Sequence, residues 1–236
     1  LVLAAMDHAD CVLTAEWSVR LAEALQTVAI VLTDQNLAQS RALIPAPDYE
    51  LPAIPPRKLA GPDEDYHRYA LTADGVSPMA IPGTPCSTYV ADGLEHTETG
   101  KPSTAAADHA AQLEKRAGKI EQFDYGDLWA DIRGTGKAAI LTWGSTASAA
   151  REAAGRVEED VRVIALRLLM PASPARLAEA LEGVERVLVV EQSHGRQFHR
   201  YLRSYYDIAA DLRVLSRPGP LLITPGEIVR HLEDWS

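Results

Sequence analysis

Cysteine is scarce: only Cys11 and Cys86 occur in 236 residues. Two thiols cannot supply the four ligands of an iron–sulfur cluster or a structural zinc, and they form no Cys-x-x-Cys pair, so any cluster that works with this chain is expected elsewhere. So few cysteines fit a reducing compartment, and a cytoplasmic location is the expectation. Basic excess is also lacking, with 23 Lys and Arg against 33 Asp and Glu and a formal charge of −10. The cations are scattered rather than gathered in a stripe, which argues against nucleic acid and anionic membranes as partners. No apolar run reaches the roughly 20 residues of a membrane span, and Asp7 and Asp10 interrupt the apolar start before it could act as a signal core. There is no Gly-x-Ser-x-Gly elbow, and the glycines around Gly144 are too sparse for a dinucleotide fingerprint. His194 and His199 do not share a helix face, so no metal pair is expected from them.

What is present is enough apolar material for a real core, 47% of the residues, in one large domain or two modest ones. Trp17, Leu21, Ala24 and Leu25 recur at helical spacing over Ala15–Gln26, and a β-branched run, Val28–Leu32, ends at Thr33-Asp34. A short helix is predicted over Asn36–Leu43. Pro45, Pro47, Pro52, Pro55 and Pro56 then exclude regular structure and mark a domain exit. From Gly61 to Pro102 the chain reads as an extended loop with at most short strands. Ser103–Gln122 regains helical character, with Ser103 or Thr104 as cap and Lys115, Arg116 and Lys119 toward the end where they complement the helix dipole.

After a second linker, Asp124–Gly136, strand and helix alternate. Strands are predicted over Ala138–Trp143, Val161–Leu166, Val187–Glu191 and Leu212–Leu215. Helices are predicted over Thr146–Gly155, Pro174–Leu181, Gly195–Tyr205 and Pro225–Leu232. Short connections between such elements imply an α/β domain with a mainly parallel sheet covered on both faces.

Three segments could carry chemistry. Gly144, Ser145 and Thr146 join a strand to a helix, where backbone N–H groups can face a ligand; equally, Ser145 or Thr146 can be an ordinary helix cap. Glu191 ends a strand at the sheet edge, which suits either contact with a cofactor or partner, or a buried polar network. Glu95 and His96, in the run Gly93-Leu94-Glu95-His96-Thr97-Glu98, bring carboxylates and an imidazole together, for acid–base work or to hold the long loop in place.

Taken in order, Tyr69–Pro78, Ile81-Pro82-Gly83-Thr84-Pro85 and Asp92–Pro102 resemble the alpha subunit of 2-oxoacid:ferredoxin oxidoreductases, particularly those of 2-oxoglutarate type. The helix bearing His109, Glu114-Lys115-Arg116 and Lys119 is similar to the one that follows this loop in the family. Val31–Gln35 resembles the end of its pyrimidine-binding-type domain, and Thr142–Thr146 with Val189–Gln192 resemble its transketolase C-terminal-like domain. Met79 stands where a basic residue is expected, Cys86 where glycine is expected, and Ser193–Gln197 depart from the usual Asn-containing pattern.

The resemblance implies that residues 1–44 end a thiamine-diphosphate-binding α/β domain, 45–123 form a linker arm with a helix, and 124–236 form a transketolase-like C-terminal domain. It implies oxidative decarboxylation of a 2-oxoacid on thiamine diphosphate and Mg²⁺, with CoA as acyl acceptor and ferredoxin as electron acceptor. It further implies a beta subunit holding the diphosphate site and the iron–sulfur cluster, in a dimer of heterodimers. The catalytic candidates are then Glu95 and His96, and the cofactor-binding candidates Gly144, Ser145 and Glu191. The start at Leu1 without an initiator Met reads as a fragment, inactive alone and mainly architectural. The rival expectation is a noncatalytic dimerisation or assembly module. Another thiamine enzyme, a transketolase or a 1-deoxyxylulose-phosphate synthase, would leave the Gly93–Glu98 loop unexplained.

Overall fold

The computed structural model describes residues 1–49, 51–61 and 65–235. They form two compact units, one of Leu1, Val19–Ala29 and Leu51–Asp124, the other of Val2–Ser18, Ile30–Glu50 and Tyr125–Ser236.

The second unit is built on a five-stranded sheet. Its strands are β5 (Ala130–Arg133), β6 (Ala138–Trp143), β7 (Val161–Leu166), β9 (Arg186–Glu191) and β10 (Asp211–Ser216), in the order β10-β9-β6-β7-β5. All neighbours are parallel except β5, which runs against β7. The apolar runs explain this. Successive strand residues point to opposite faces, and Val187, Leu188, Val189 and Val190 are all fully buried, so both faces of the sheet are covered. On one face Ile140, Val163, Leu188 and Val190 pack with α4 (Thr146–Ala154) and α7 (Pro225–Glu233) through Ala150, Ala153, Ile228 and Leu232. Each such aliphatic side chain contributes roughly 1.5–3 kcal/mol by leaving water. The helices α5 (Pro174–Ala180) and α6 (Gln197–Tyr205) complete the alternation, so the expected α/β class with a mainly parallel sheet is the observed one.

A small second sheet in this unit pairs β1 (Val2–Ala4) in parallel with β2 (Ile30–Leu32) and antiparallel with β8 (Leu168–Met170). β1 and β8 span three residues each, too few for a period of two to show. The helix α1 spans His8–Leu25, starting well before the expected Ala15. Its first turns bury Asp10 and Thr14 rather than apolar residues, which hides the helical period. Asp10 is paired with Arg167: the guanidinium Nε and Nη2 donate to Oδ1 at 2.9 and 2.7 Å, and Oδ2 accepts from the Met6 N–H at 3.0 Å.

The helix α2 is Gln35–Gln39 and stops short of the expected Leu43. Ser40 takes up extended backbone and Leu43 is wholly exposed, so nothing apolar is gained by continuing. β5 and the 3-10 turn Gly126–Trp129 occupy what reads as a linker in the sequence. α6 begins at Gln197 rather than Gly195 because Arg196 is left-handed, φ 51°.

In the first unit the described residues from Leu51 to Ser103 contain one hairpin, β3 (Glu95–His96) with β4 (Pro102–Ser103). It leads to α3 (Ala106–Glu121). Neither Ser103 nor Thr104 is its cap: Ala105 stands at that position without a side-chain bond, and the Ser103 hydroxyl is turned to Asp108 at 2.5 Å.

Candidate functional site

After the antiparallel edge strand β5, the chain forms β6, moves to β7 on one side, then crosses back to β9 on the other. The carboxyl ends of β6 and β9 therefore flank a topological switch point, where open α/β sheets leave a crevice. Here the crevice is a cleft of about 200 Å³. It lies between the β6–α4 turn, with Trp143, Gly144 and Ser145, and the β9–α6 turn, with Glu191, Gln192 and Phe198. Leu32 at the end of β2, with Thr33 and Asp34 that follow it, lines it as well.

Within the cleft Gly144 adopts φ +63° with open space where a Cβ would stand, so the turn admits glycine at little cost and keeps the entrance free. Ser145 does not cap α4; its hydroxyl donates to Asp34 Oδ2, while Asp34 Oδ1 accepts the Leu37 N–H at 3.0 Å and caps α2. Thr146 is turned inward, donating to the Trp143 carbonyl at 2.7 Å and lying 2.6 Å from the Thr142 hydroxyl. The first turn of α4 is thus left without a side-chain cap beside the cleft.

Glu191 is 1% exposed. Its Oε2 accepts from the Phe198 N–H at 2.9 Å and the Ser193 hydroxyl at 2.7 Å, and Oε1 from the His199 N–H at 2.9 Å. The carboxylate occupies the N-terminus of α6 as a bound anion would. Among the described residues no Lys, Arg or His lines the cleft, whereas Asp34 and Glu191 do. Its chemistry suits a small group with apolar surface and hydrogen-bond donors, and disfavours an anion.

The other two candidate residues, Glu95 and His96, lie in the first unit. Glu95 Oε1 and Oε2 accept from Arg116 Nη1 and Nη2 at 3.1 and 2.8 Å, and His109 Nδ1 is 3.0 Å from Oε2. The Arg116 guanidinium, with His109 and the His96 N–H, holds the Glu95 carboxyl at about 2 against the opposing effect of burial. His96 is 3% exposed, stacked on Tyr69 at 4.2 Å between ring centroids, with Nε2 3.1 Å from Asp92 Oδ1. Glu98 Oε2 accepts the Leu71 N–H at 2.8 Å. These side chains anchor the loop to itself and to α3, and Glu95, ionised and doubly paired, is poorly suited to take a proton near neutrality.

Sequence reasoning passed over Asp34 and Phe198 as cleft residues. Asp34 carried a usable signal, an acidic residue between a β-branched run and a helix; Phe198 carried none, since its place depends on how α6 meets the sheet.

No family model matches the chain. It is 32% identical to subunit alpha of 2-oxoacid:ferredoxin oxidoreductase 2 from Aeropyrum pernix, over 99% of its own length and 38% of the relative's. It is also 32% identical to 2-oxoglutarate oxidoreductase subunit KorA from Mycobacterium tuberculosis, over 87% of this chain and 32% of that one. Among solved structures, a 2-oxoglutarate:ferredoxin oxidoreductase from Magnetococcus marinus with 2-oxoglutarate, coenzyme A and succinyl-CoA bound matches with a TM-score of 0.89 and 33% identity. That match covers 99% of this chain and 41% of the other. The chain spans about a third of the length of the curated relatives it matches. Over nearly all of its residues it is therefore similar, in sequence and in fold, to part of the alpha subunit of a 2-oxoacid:ferredoxin oxidoreductase.

Proposed function

We propose that this chain is part of the alpha subunit of a 2-oxoacid:ferredoxin oxidoreductase whose substrate is 2-oxoglutarate. The observation that carries the reading is the match of 0.89 in TM-score over 99% of the chain to an enzyme of that activity. In the intact enzyme a 2-oxoacid is decarboxylated oxidatively on thiamine diphosphate, its acyl group passes to CoA and its electrons to ferredoxin. Residues 1–44 end the thiamine-diphosphate domain, 45–123 are the arm, and 124–236 are the transketolase-like domain.

The residues present fit some of these groups poorly. Cys11 and Cys86 cannot hold a four-thiolate cluster. Among the described residues no three His, Cys, Asp or Glu side chains gather as ligands for the Mg²⁺ that would accompany the diphosphate. We assign both to a beta subunit, with ferredoxin meeting the complex and two heterodimers forming the assembly in the cytoplasm. Among the described residues no helix is long and apolar enough to cross a membrane.

The role left to this portion is mainly architectural. Glu95, Glu98 and Glu191, the carboxylates one would examine first for catalysis, each hold backbone or side-chain partners within the chain. Gly144 and Ser145 contribute a cleft wall suited to an uncharged, donor-bearing part of a cofactor. The test is a 2-oxoacid profile of the intact purified enzyme, read as CoA-dependent viologen reduction. A clear preference for 2-oxoglutarate over pyruvate supports the reading; CoA-independent or absent activity with iron-containing protein rejects it.

A further inference from the structure

We propose that the unit containing residues 51–124 binds a phosphate group in the cavity between α3 and the loop around Tyr69 and Ser77. This inference does not depend on the enzyme reading. The cavity is about 160 Å³ and is bordered by Arg68, Lys115, Arg116 and Lys119. Four cations around one small space are out of keeping with a chain of net charge −10.

The structural explanation of these cations is real but incomplete. Lys115 Nζ donates to the carbonyls of Tyr69 and Ala70 at 3.0 and 3.3 Å and lies 3.0 Å from the Ser77 hydroxyl. Lys119 Nζ donates to the Gln26 carbonyl at 3.0 Å. Those acceptors are neutral: they satisfy the donors without cancelling the charge. Arg116 is neutralised by Glu95. Arg68 has no ion-pair or hydrogen-bond partner among the described residues, and the nearby Glu98 carboxylate is engaged by the Leu71 N–H. Burial, followed by the Arg68 charge, holds Lys115 down at about 8 and lowers Lys119 as well. A bound anion would relieve that repulsion.

Gln112 narrows the ligand class. It borders the cavity and is 2% exposed; its Nε2 donates to the Tyr69 carbonyl at 2.8 Å, while its Oε1 is buried and, among the described residues, without a donor. An ionised carboxylate or a halide brings only acceptors and leaves that oxygen unmet. Inorganic phosphate near neutral pH, as HPO4²⁻, brings oxygens for the cations and a P–OH for Gln112, and a phosphate monoester does so as its monoanion. The wall behind this site is tight: at Gly75, φ +68°, a Cβ would fall 2.7 Å from Lys119 Cβ and 2.8 Å from the Lys115 carbonyl.

Calorimetric titration of the purified protein with inorganic phosphate, against chloride at matched ionic strength, tests the proposal. Binding in roughly the millimolar range is expected, weakened about tenfold or more in Arg68→Gln while the melting temperature without phosphate is unchanged. Lys119→Met serves in the same way if Arg68→Gln does not fold. Competition by coenzyme A but not by its analogue lacking the 3′-phosphate would identify a nucleotide phosphate as the source; competition by neither would identify free phosphate. Heat no greater than with chloride, or affinity unaltered in the folded variant, overturns the proposal.

Discussion

Glu191 Oε2 accepts the backbone N–H of Phe198 at 2.9 Å, so the last residue of β9 caps the helix that follows it. Because this carboxylate is buried and meets three donors, its loss leaves them unsatisfied. Glu191→Ala is expected to cost about 2–4 kcal/mol in urea unfolding. A loss below about 0.5 kcal/mol, the scale of an ordinary surface change, would contradict the capping role.

Asp10 and Arg167 make a second, independent test. Both are nearly buried, and removing either strands the other's charge. Arg167→Met should destabilise by about 3–5 kcal/mol, whereas the joint replacement Asp10→Leu with Arg167→Met should recover part of that loss. Strictly additive single changes would show that the two residues are not coupled.

For Glu95 the prediction is one of pH. Its carboxyl ordinarily titrates near 4.5 and is held at about 2 in the folded chain. As pH falls from about 4.5 to 2 the unfolded chain takes up this proton before the folded one does, so the stabilisation present above 4.5 drains away across that window. Glu227 titrates in the same window, held at about 2 by Arg217, so the useful quantity is the difference between the parent and Glu95→Gln. That difference is expected to be about 1 kcal/mol at neutral pH, modest because Arg116 is half exposed, and to vanish near the bottom of the window. Melting curves whose separation does not change with pH would refute the assignment.

Two glycines of similar backbone should respond differently. Gly75 and Gly144 both have positive φ, near 68° and 63°, but a Cβ meets Lys119 at one and nothing at the other. Gly144→Ala should cost only the backbone strain, about 1 kcal/mol, and Gly75→Ala about 2 kcal/mol or more, since the turn or α3 must shift. Equal losses would mean that the turn is not packed against α3 as described.

Much of this fold was legible in the sequence where apolar runs are long. β6 and β7 match their predicted spans residue for residue, because the apolar runs Ala138–Leu141 and Val163–Leu166, bounded by polar turns, leave little alternative. β1, β5 and β8 were not legible: short strands owe their existence to a neighbour's free edge, and β5 pairs with β7 across a separation the sequence does not display. The start of α1 was hidden for the opposite reason, since its core-facing Asp10 is stabilised by a partner 157 residues away. Of the site, the cleft's walls at Gly144 and Glu191 could be read from strand-to-helix turns. The engagement of Glu191 by α6 could not, because it depends on where Arg196 turns the chain.

The most direct test of the central claim is CoA-dependent reduction of viologen by the intact purified enzyme, with 2-oxoglutarate and with pyruvate. The account predicts turnover that requires CoA, prefers 2-oxoglutarate and accompanies an iron-bearing second subunit. Purified iron-containing protein that reduces viologen with neither acid, or does so without CoA, would contradict it.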